Sequence, residues 1–421
     1  AKELHEDPLH MHGIVVAYVL SVAVCIPLSG WLADRFGVRN TYFAAIIIFT
    51  LASLGCGLSE NFNQLLIFRV IQGIGGALLL PIGRLAMLKI IPRTQFLSAM
   101  SLMSLAGLLG PLMGPTLGGW LVEVATWHWI FLINLPMGIL GILVTFKAMP
   151  NSKEKYVKPF DFLGFILLTI AMVGLSLGIE QASNQNSTLW MSLALVLIGL
   201  IASAYYAYHA HTHHNALFRS DLFKNKIYAI GIAGNFFARF AGNAMPFLMP
   251  LMLQVAFGFA PFMTGLLMIP TVLGSLASKP FVRPLIQYFG YRNVLISNTI
   301  LIGLCIASFA LSTAETPVWL RAIHFFIFGL INSLQFVAMN TLTLKDLSQQ
   351  DASSGNSFLS LIMMLSMSIG VALAGTLINA FTQYYGNTDL TLAFHHTLIC
   401  LGLINLITLL IFWQIPKSTS I

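Results

Sequence analysis

Charge is what this sequence most conspicuously lacks: only 8% of its 421 residues are Asp, Glu, Lys or Arg, while 57% are hydrophobic. A soluble domain carries about a quarter charged residues, so a water-solvated globule is excluded and the solvent must be lipid. Cysteine is also scarce: Cys25, Cys56, Cys305 and Cys400 all lie in apolar runs, which excludes a metal cluster or disulfide framework and leaves free, inert thiols. No Gly-x-x-x-x-Gly-Lys-Ser/Thr stretch occurs and no polar segment is long enough for an ATPase domain, so a nucleotide site is excluded. The clustered histidines and carboxylates, or Ser/His pair, that an enzyme embedded in a membrane would need are absent too, so no catalytic residues and no cofactor are expected. His209, His211, His213 and His214 look like a metal tract, but at a helix end they read as interfacial residues, and no metal is expected there.

What is present is apolar length. Thirteen runs, at 12–33, 41–59, 63–91, 96–122, 127–149, 160–180, 188–208, 227–256, 260–280, 291–312, 317–344, 352–385 and 392–415, are long enough to span a bilayer. A helix rising about 1.5 Å per residue needs about 20 residues to cross about 30 Å of hydrocarbon. Helices satisfy their own backbone, whereas a β-barrel would show shorter, alternating segments, so all thirteen are expected to be helical. The net charge of +7 does not indicate nucleic acid, because the bases follow topology. Arg35 and Arg39, Lys89 and Arg93, Lys147 to Lys158, Arg219 to Lys226, Lys279 to Arg292, Lys345 and Lys417 fall in alternate loops. The intervening loops hold Glu60, Glu123, Glu180, Glu315 and Asp389, with Lys2 and Arg321 as their bases. An excess of Lys and Arg marks the cytoplasmic face, so the carboxyl terminus is expected inside.

The pentapeptide Phe-Gly-x-Arg-Asn occurs as Phe36 to Asn40 and again as Phe289 to Asn293, each time between long apolar runs. That repetition implies two related halves, the construction of secondary transporters, which place a substrate site where the repeats meet. The expected organisation is a first bundle over residues 1–150, two extra helices with linkers over 151–226, and a six-helix bundle over 227–421. The first bundle then holds five spans against six in the second, so the chain is expected to begin just after the first transmembrane helix of a longer protein.

Several motifs suggest moving parts. Gly30, Asp34, Arg35, Gly37 and Arg39 form a G-x-x-x-D-R-x-G-x-R loop, in which Gly30 permits close contact, Gly37 a tight turn, and Asp34 an acid that Arg35 or Arg39 can hold as a breakable latch. In the second copy Gln287 replaces the acid, so the latch is expected on one side alone. Arg69 and Gln72 sit one turn apart ahead of Gly73, Gly75 and Gly76; an arginine so deep faces a cavity or a partner, or is bonded to neighbouring carbonyls. Gly107, Gly110, Gly114 and Gly118 recur at helical spacing, with Gly119, Pro111 and Pro115 beside them, giving a bare, bent seam suited to pivoting. The run Trp127 to Gly138 opens the next span with interfacial aromatics.

These stretches resemble the signature loop, the fourth-helix motif and the fifth-helix antiporter motif of the major facilitator superfamily, and the extra helix pair resembles its fourteen-span drug:proton antiporter branch. The resemblance implies the major facilitator fold: an all-α membrane protein of two pseudo-symmetric six-helix bundles plus two extra helices, here with thirteen spans because the first helix is missing. It further implies proton-coupled export of small molecules such as drugs across a bacterial inner membrane, with Arg69 and Gln72 tuning coupling. It places the coupling Asp in that missing helix, since no Asp or Glu lies in the middle of any span present, and the chain as given is then expected to be inactive.

Inside the second half, Asn235, Arg239 and Asn243 form one polar stripe, Asn332 with Gln335 a second, and Asn356 with Ser360 a third. Each amide alone is better explained by an interhelical hydrogen bond, but together they suggest a wet interior that touches substrate. Met339, Met363, Met364 and Met367 fit either an adaptable pocket or plain packing. Arg69 and Arg239 without nearby acids leave a second substrate class open, organic anions such as citrate-like acids or their metal chelates. The expected partners are a small-molecule substrate, protons and lipid, with no nucleic acid, and the protein is expected to act as a monomer.

Overall fold

The computed structural model describes residues 8–92, 95–103, 110, 114, 117, 118, 121, 124–154, 157, 159–182, 189–213, 215–385 and 389–416. Among these the chain is helical with no strand. The first half holds α1 (Pro8–Cys25), α2 (Leu28–Phe36), α3 (Val38–Gly57), α4 (Phe62–Ile90), α5 (95–103) and α6 (Trp129–Ala148). The extra pair is α7 (Phe162–Ala182) and α8 (Leu189–Thr212). The second half holds α9 (Lys226–Ala256), α10 (Pro261–Ala277), α11 (Lys279–Ser308), α12 (Val318–Leu344), α13 (Gln349–Tyr385) and α14 (Leu390–Phe412).

Local chemistry sets several helix starts. Asn61 accepts the Gln64 amide at 3.0 Å to begin α4, Asn225 accepts the Ile227 amide at 3.0 Å to begin α9, and Asp389 accepts the Leu392 amide to begin α14. The expected first span is broken: α1 and α2 bend by 58° around Ile26 and Pro27. Proline cannot donate to the preceding turn, which explains a break where hydropathy shows one continuous run.

The repeat is visible in the backbone. Gly37 (φ 91, ψ 148) and Gly290 (φ 73, ψ 160), the glycines of the two pentapeptides, adopt the same conformation, one that residues with a Cβ essentially avoid. The seams correspond as well. A Cβ on Gly73 would stand 2.7 Å from the Tyr18 carbonyl of α1, and one on Gly329 would land on the Thr271 carbonyl of α10. Tyr18 and Thr271 are related as Phe36 is to Phe289, so α1 crosses α4 as α10 crosses α12. Small residues permit that approach, and in lipid such packing supplies much of the adhesion between helices.

The extra helices α7 and α8 pack on each other, and α7 packs against α1 and α13. Away from the lysine- and arginine-bearing ends of the helices, called here the basic end, the second half has its own apolar core, including Leu248, Met252, Ile306, Phe309, Phe325 and Leu398. At the basic end, by contrast, the halves share clusters: Leu97 of α5 lies in one with Val282 and Ile286 of α11, and Phe96 and Met100 lie in another with Tyr228, Leu344 and Leu359. The free cysteines expected from the sequence are free here.

Candidate functional site

The basic ends of α2, α4 and α13 converge on Asp34. Its Oδ1 accepts hydrogen bonds from Lys89 Nζ at 2.8 Å and from Ser353 Oγ of the opposite half. Lys89, its side chain 4% exposed, also donates to Glu154 Oε1 at 2.8 Å, so one nearly dry ammonium is held by two carboxylates. Charge-assisted bonds in such a setting are stronger than surface pairs. Gly30 allows the approach of α2 to α13, since a Cβ there would stand 2.8 Å from the Ser353 carbonyl oxygen; beside it Ser29 and Ser357 share a 2.8 Å hydrogen bond.

The partners of Asp34 therefore differ from those expected. Arg35 is exposed, and Arg39 lies over the Phe146 ring at 5.9 Å. Adjacent residues on a helix do not face each other, which rules out Arg35, and Arg39 stands on α3 beyond the Gly37 kink. Gln287, at the corresponding place in the second half, is exposed.

Arg69 is held near the other end of α4. Its Nη1 donates to Gln72 Oε1 at 2.8 Å, its Nε to the Ile14 carbonyl at 3.3 Å, and its guanidinium lies 4.5 Å from the Tyr18 ring. Gln72 in turn donates to Ser53 Oγ at 2.7 Å, so the pair is one hydrogen-bonded unit. Of the glycine seam, Gly107, Pro111, Pro115 and Gly119 lie outside the described residues. Gly110, Gly114 and Gly118 are helical, and a Cβ on each would meet nothing within 4 Å.

The stripes of the second half separate. Asn235 is wholly buried, donates to Thr343 Oγ1 at 3.0 Å, and accepts from Arg239 Nε at 3.0 Å. Arg239 Nη2 reaches Asn340 Oδ1 at 3.1 Å, and the guanidinium lies 4.3 Å from the Phe336 ring. Asn243 and Asn332 are half-buried near this stripe. Gln335 turns elsewhere: it accepts from Asn298 at 2.9 Å and donates to Thr299 at 2.9 Å, so its amide binds α12 to α11.

Arg84 is the residue that sequence reasoning missed. It lies on α4 fifteen positions beyond Arg69, about 22 Å along the helix, and is 1% exposed. Its contacts are with the opposite half: Asn356 Oδ1 and Ser360 Oγ at 3.5 Å each and Met363 Sδ at 3.4 Å. Asn356 donates back to the Pro81 carbonyl at 2.7 Å. The usable signal was an arginine interrupting an otherwise apolar run just after Pro81. The histidine run is occupied structurally, with His209 Nε2 bonded to Asp161 at 2.9 Å and its ring stacked on His213.

Two repeated helical bundles in contact at one end, with ionised groups between them, define a secondary-transporter fold. The chain belongs to the Major Facilitator Superfamily, whose sequence profile matches residues 1–208 and 230–420. Among curated proteins it is 45% identical over 423 residues to "Putative multidrug resistance protein MdtD" of Serratia proteamaculans (strain 568), covering 100% of this chain and 88% of that one. It is 46% identical over 426 residues to the protein of the same name from Enterobacter sp. (strain 638), covering 100% and 90%. Among solved structures, the proton:xylose symporter XylE superposes with a TM-score of 0.67 at 14% identity, covering 99% of this chain and 89% of that one. The human organic anion transporter MFSD10 superposes with a TM-score of 0.63 at 14% identity, covering 95% and 83%. The molecule is a multi-pass membrane transporter: among the described residues, against the thirteen spans expected from the sequence, 10 helices are long and apolar enough to cross a membrane, or up to 11 when the bent α1–α2 pair is taken as one span.

Proposed function

We propose that the protein is a proton-coupled exporter of small molecules, a multidrug efflux transporter that works by alternating access, and not an enzyme. Residues 1–150 and 227–421 act as the two rocking bundles, with 151–226 as an accessory pair. The observation that carries this reading is the charged contact at Asp34, which joins α2 and α4 of one bundle to α13 of the other at the basic end alone of the two pentapeptide copies. A contact that couples opposing bundles through a few ionic hydrogen bonds can be made in one state and broken in another. The basic end is cytoplasmic by the charge rule, which places the carboxyl terminus inside the inner membrane and makes the arrangement outward-facing. Asp34 with Gly30, Gly37, Lys89 and Ser353 forms the latch, Arg69 and Gln72 tune coupling, the Gly110 to Gly119 segment is the pivot, and Asn235, Arg239, Asn243 and Asn332 face substrate. It acts as a monomer on a small molecule and protons.

Proteoliposomes of the full-length protein test this. An imposed proton gradient should drive ethidium against its own gradient, with protons moving the opposite way. If no member of a panel of cationic, neutral and anionic dyes moves, and none elicits proton flux, the proposal fails. A second reading, export of organic anions such as citrate-like acids or their metal chelates, is favoured by one observation: Arg239 is buried without a carboxylate partner among the described residues.

A further inference from the structure

We infer that the kinked segment of the second half, residues 279–289, binds one anionic phospholipid from the leaflet at the basic end, with an acyl chain in a groove on its outer face and the phosphate at Arg283. The inner face of this segment buries Val282 and Ile286 in an apolar cluster. Its outer face carries an open groove of about 490 Å³ lined by Phe281, Pro284, Leu285, Gln287, Tyr288 and Phe289, so the lining comes from this one segment. Gly290 (φ 73) fixes the bend that ends the segment, and just before it the Tyr288 and Phe289 rings meet edge to face with centroids 4.9 Å apart. Both are open to their surroundings, Tyr288 at 84% and Phe289 at 53% exposure. Aromatic rings at this level of a membrane protein sit among lipid headgroups, apolar body inward and polar tip toward water.

The first copy of the repeat shows this face covered. Leu28 and Trp31 are related to Phe281 and Pro284 as Phe36 is to Phe289; the first two are half-buried and the second two exposed. The linker after α6 makes the difference: the Phe160 ring lies edge-on to Trp31 at 5.0 Å, the Ser152 carbonyl accepts the Val38 amide at 3.0 Å, and a Cβ on Gly37 would land on the Asn151 side chain. Charge decides what suits the open copy. Arg283 is exposed, lies one helical turn before Gln287 and so on the same face, and meets no carboxylate among the described residues. No Asp or Glu occurs in the sequence between Asp221 and Glu315. Lys279 turns inward instead, donating to Ser333 Oγ at 2.9 Å. An apolar trough beside an exposed guanidinium, at the face that the charge rule makes cytoplasmic and where anionic lipids gather, matches a chain and a phosphate joined in one molecule. A free phosphate would leave the trough wet, and a zwitterionic lipid would set its own cation against Arg283. The lipid would brace the second kink as the linker braces the first, whatever the protein transports.

The test titrates the full-length protein in detergent with phosphatidylglycerol, with phosphatidylcholine of the same chains, or with the chainless headgroup glycerophosphoglycerol, and counts retained molecules by native mass spectrometry. One phosphatidylglycerol per chain should be retained at about fivefold lower concentration than phosphatidylcholine, the factor that one basic residue near a membrane surface supplies. The headgroup alone should not displace it. Arg283→Gln should abolish the preference while leaving phosphatidylcholine retention unchanged, and Gln287→Trp, which fills the groove, should weaken retention of both lipids. Arg219→Gln, whose guanidinium already meets Asp221 at 2.6 Å, should behave as the unaltered protein does. If a variant fails to fold, the comparison of the two lipids and the headgroup on the unaltered protein decides alone. Equal retention of the two lipids, an undiminished preference in folded Arg283→Gln, or displacement by the headgroup overturns the site. So does a dimer that Gln287→Trp dissociates, or lipid retained only after deletion of residues 417–421, since the groove would then belong to a second copy or to the chain itself.

Discussion

The two kinked segments share a backbone and differ in chemistry. Around Gly37, Asp34 is tied to Lys89 and to Ser353 of the opposite half. Around Gly290, the corresponding Gln287 is exposed, and Val282 and Ile286 of that segment belong to one apolar cluster with Leu97 of the opposite half. Each copy thus touches the other half, one through directional ionic bonds and one through apolar surface. Apolar contact is non-directional and tolerates sliding, while a charged hydrogen bond is lost within a fraction of an ångström. Duplication has fixed where the helices bend and cross, and single side chains have decided which contact switches and which slides.

The largest expected effect comes from attacking the shared geometry. Gly329→Ala drives a methyl group onto the Thr271 carbonyl, a backbone atom that cannot turn aside, whereas Gly73→Ala meets the Ser21 Cβ at 2.6 Å and the Tyr18 carbonyl at 2.7 Å. Overpacking usually costs about 1–3 kcal/mol, and Gly329→Ala should lie at or beyond the top of that range. Heating followed by size-exclusion chromatography should show less folded Gly329→Ala than Gly73→Ala. A Gly329→Ala protein as heat-resistant as its parent would break the equivalence of the two seams.

A smaller effect separates the two chemistries. Asp34→Asn removes the charge that holds Lys89 and Ser353, a loss of about 1.5–3 kcal/mol for charged hydrogen bonds, which shifts a two-state equilibrium by about ten- to hundredfold. A Ser357→Cys reporter, at a position 1% exposed, in a background with the four native cysteines replaced, should react with a polar maleimide far faster once Asp34→Asn is added. Gln287→Asn should leave the labelling rate unchanged. Equal responses from both sites would show that the acid is not what distinguishes the copies.

Legibility followed the range of the forces involved. The spans and the repeat were open to a reader of the sequence because hydropathy and glycine spacing are local signals, and the Asn235 to Arg239 bond was foreseeable from its one-turn spacing. The break at Pro27 was legible in principle, though apolar continuity hid it. Asp34 finding Lys89 was not legible, because the partner comes from another helix; nor was the turning of Gln335 toward Asn298 and Thr299, which depends on how α12 is rotated against α11. Arg84 was hidden by its own context, one cation within a run whose average is apolar, and its importance shows only once its contacts across the halves and the unmatched Nε can be seen.

The smallest expected effect is the most discriminating. Ser353→Ala removes one hydrogen bond to Asp34 and leaves Lys89 in place, a loss of about 0.5–1.5 kcal/mol for a single bond, so labelling of the Ser357→Cys reporter should quicken only a few-fold. Its value lies in the cycle with Asp34→Asn. If the hydroxyl acts through the carboxylate, the double variant should label no faster than Asp34→Asn alone, because the partner of Ser353 has already lost its charge. If the effects add, Ser353 stabilises the contact between α2 and α13 independently of Asp34. The close approach permitted at Gly30 would then hold the halves together, with the acid contributing little, and the contrast between the two kinked segments would be one of packing.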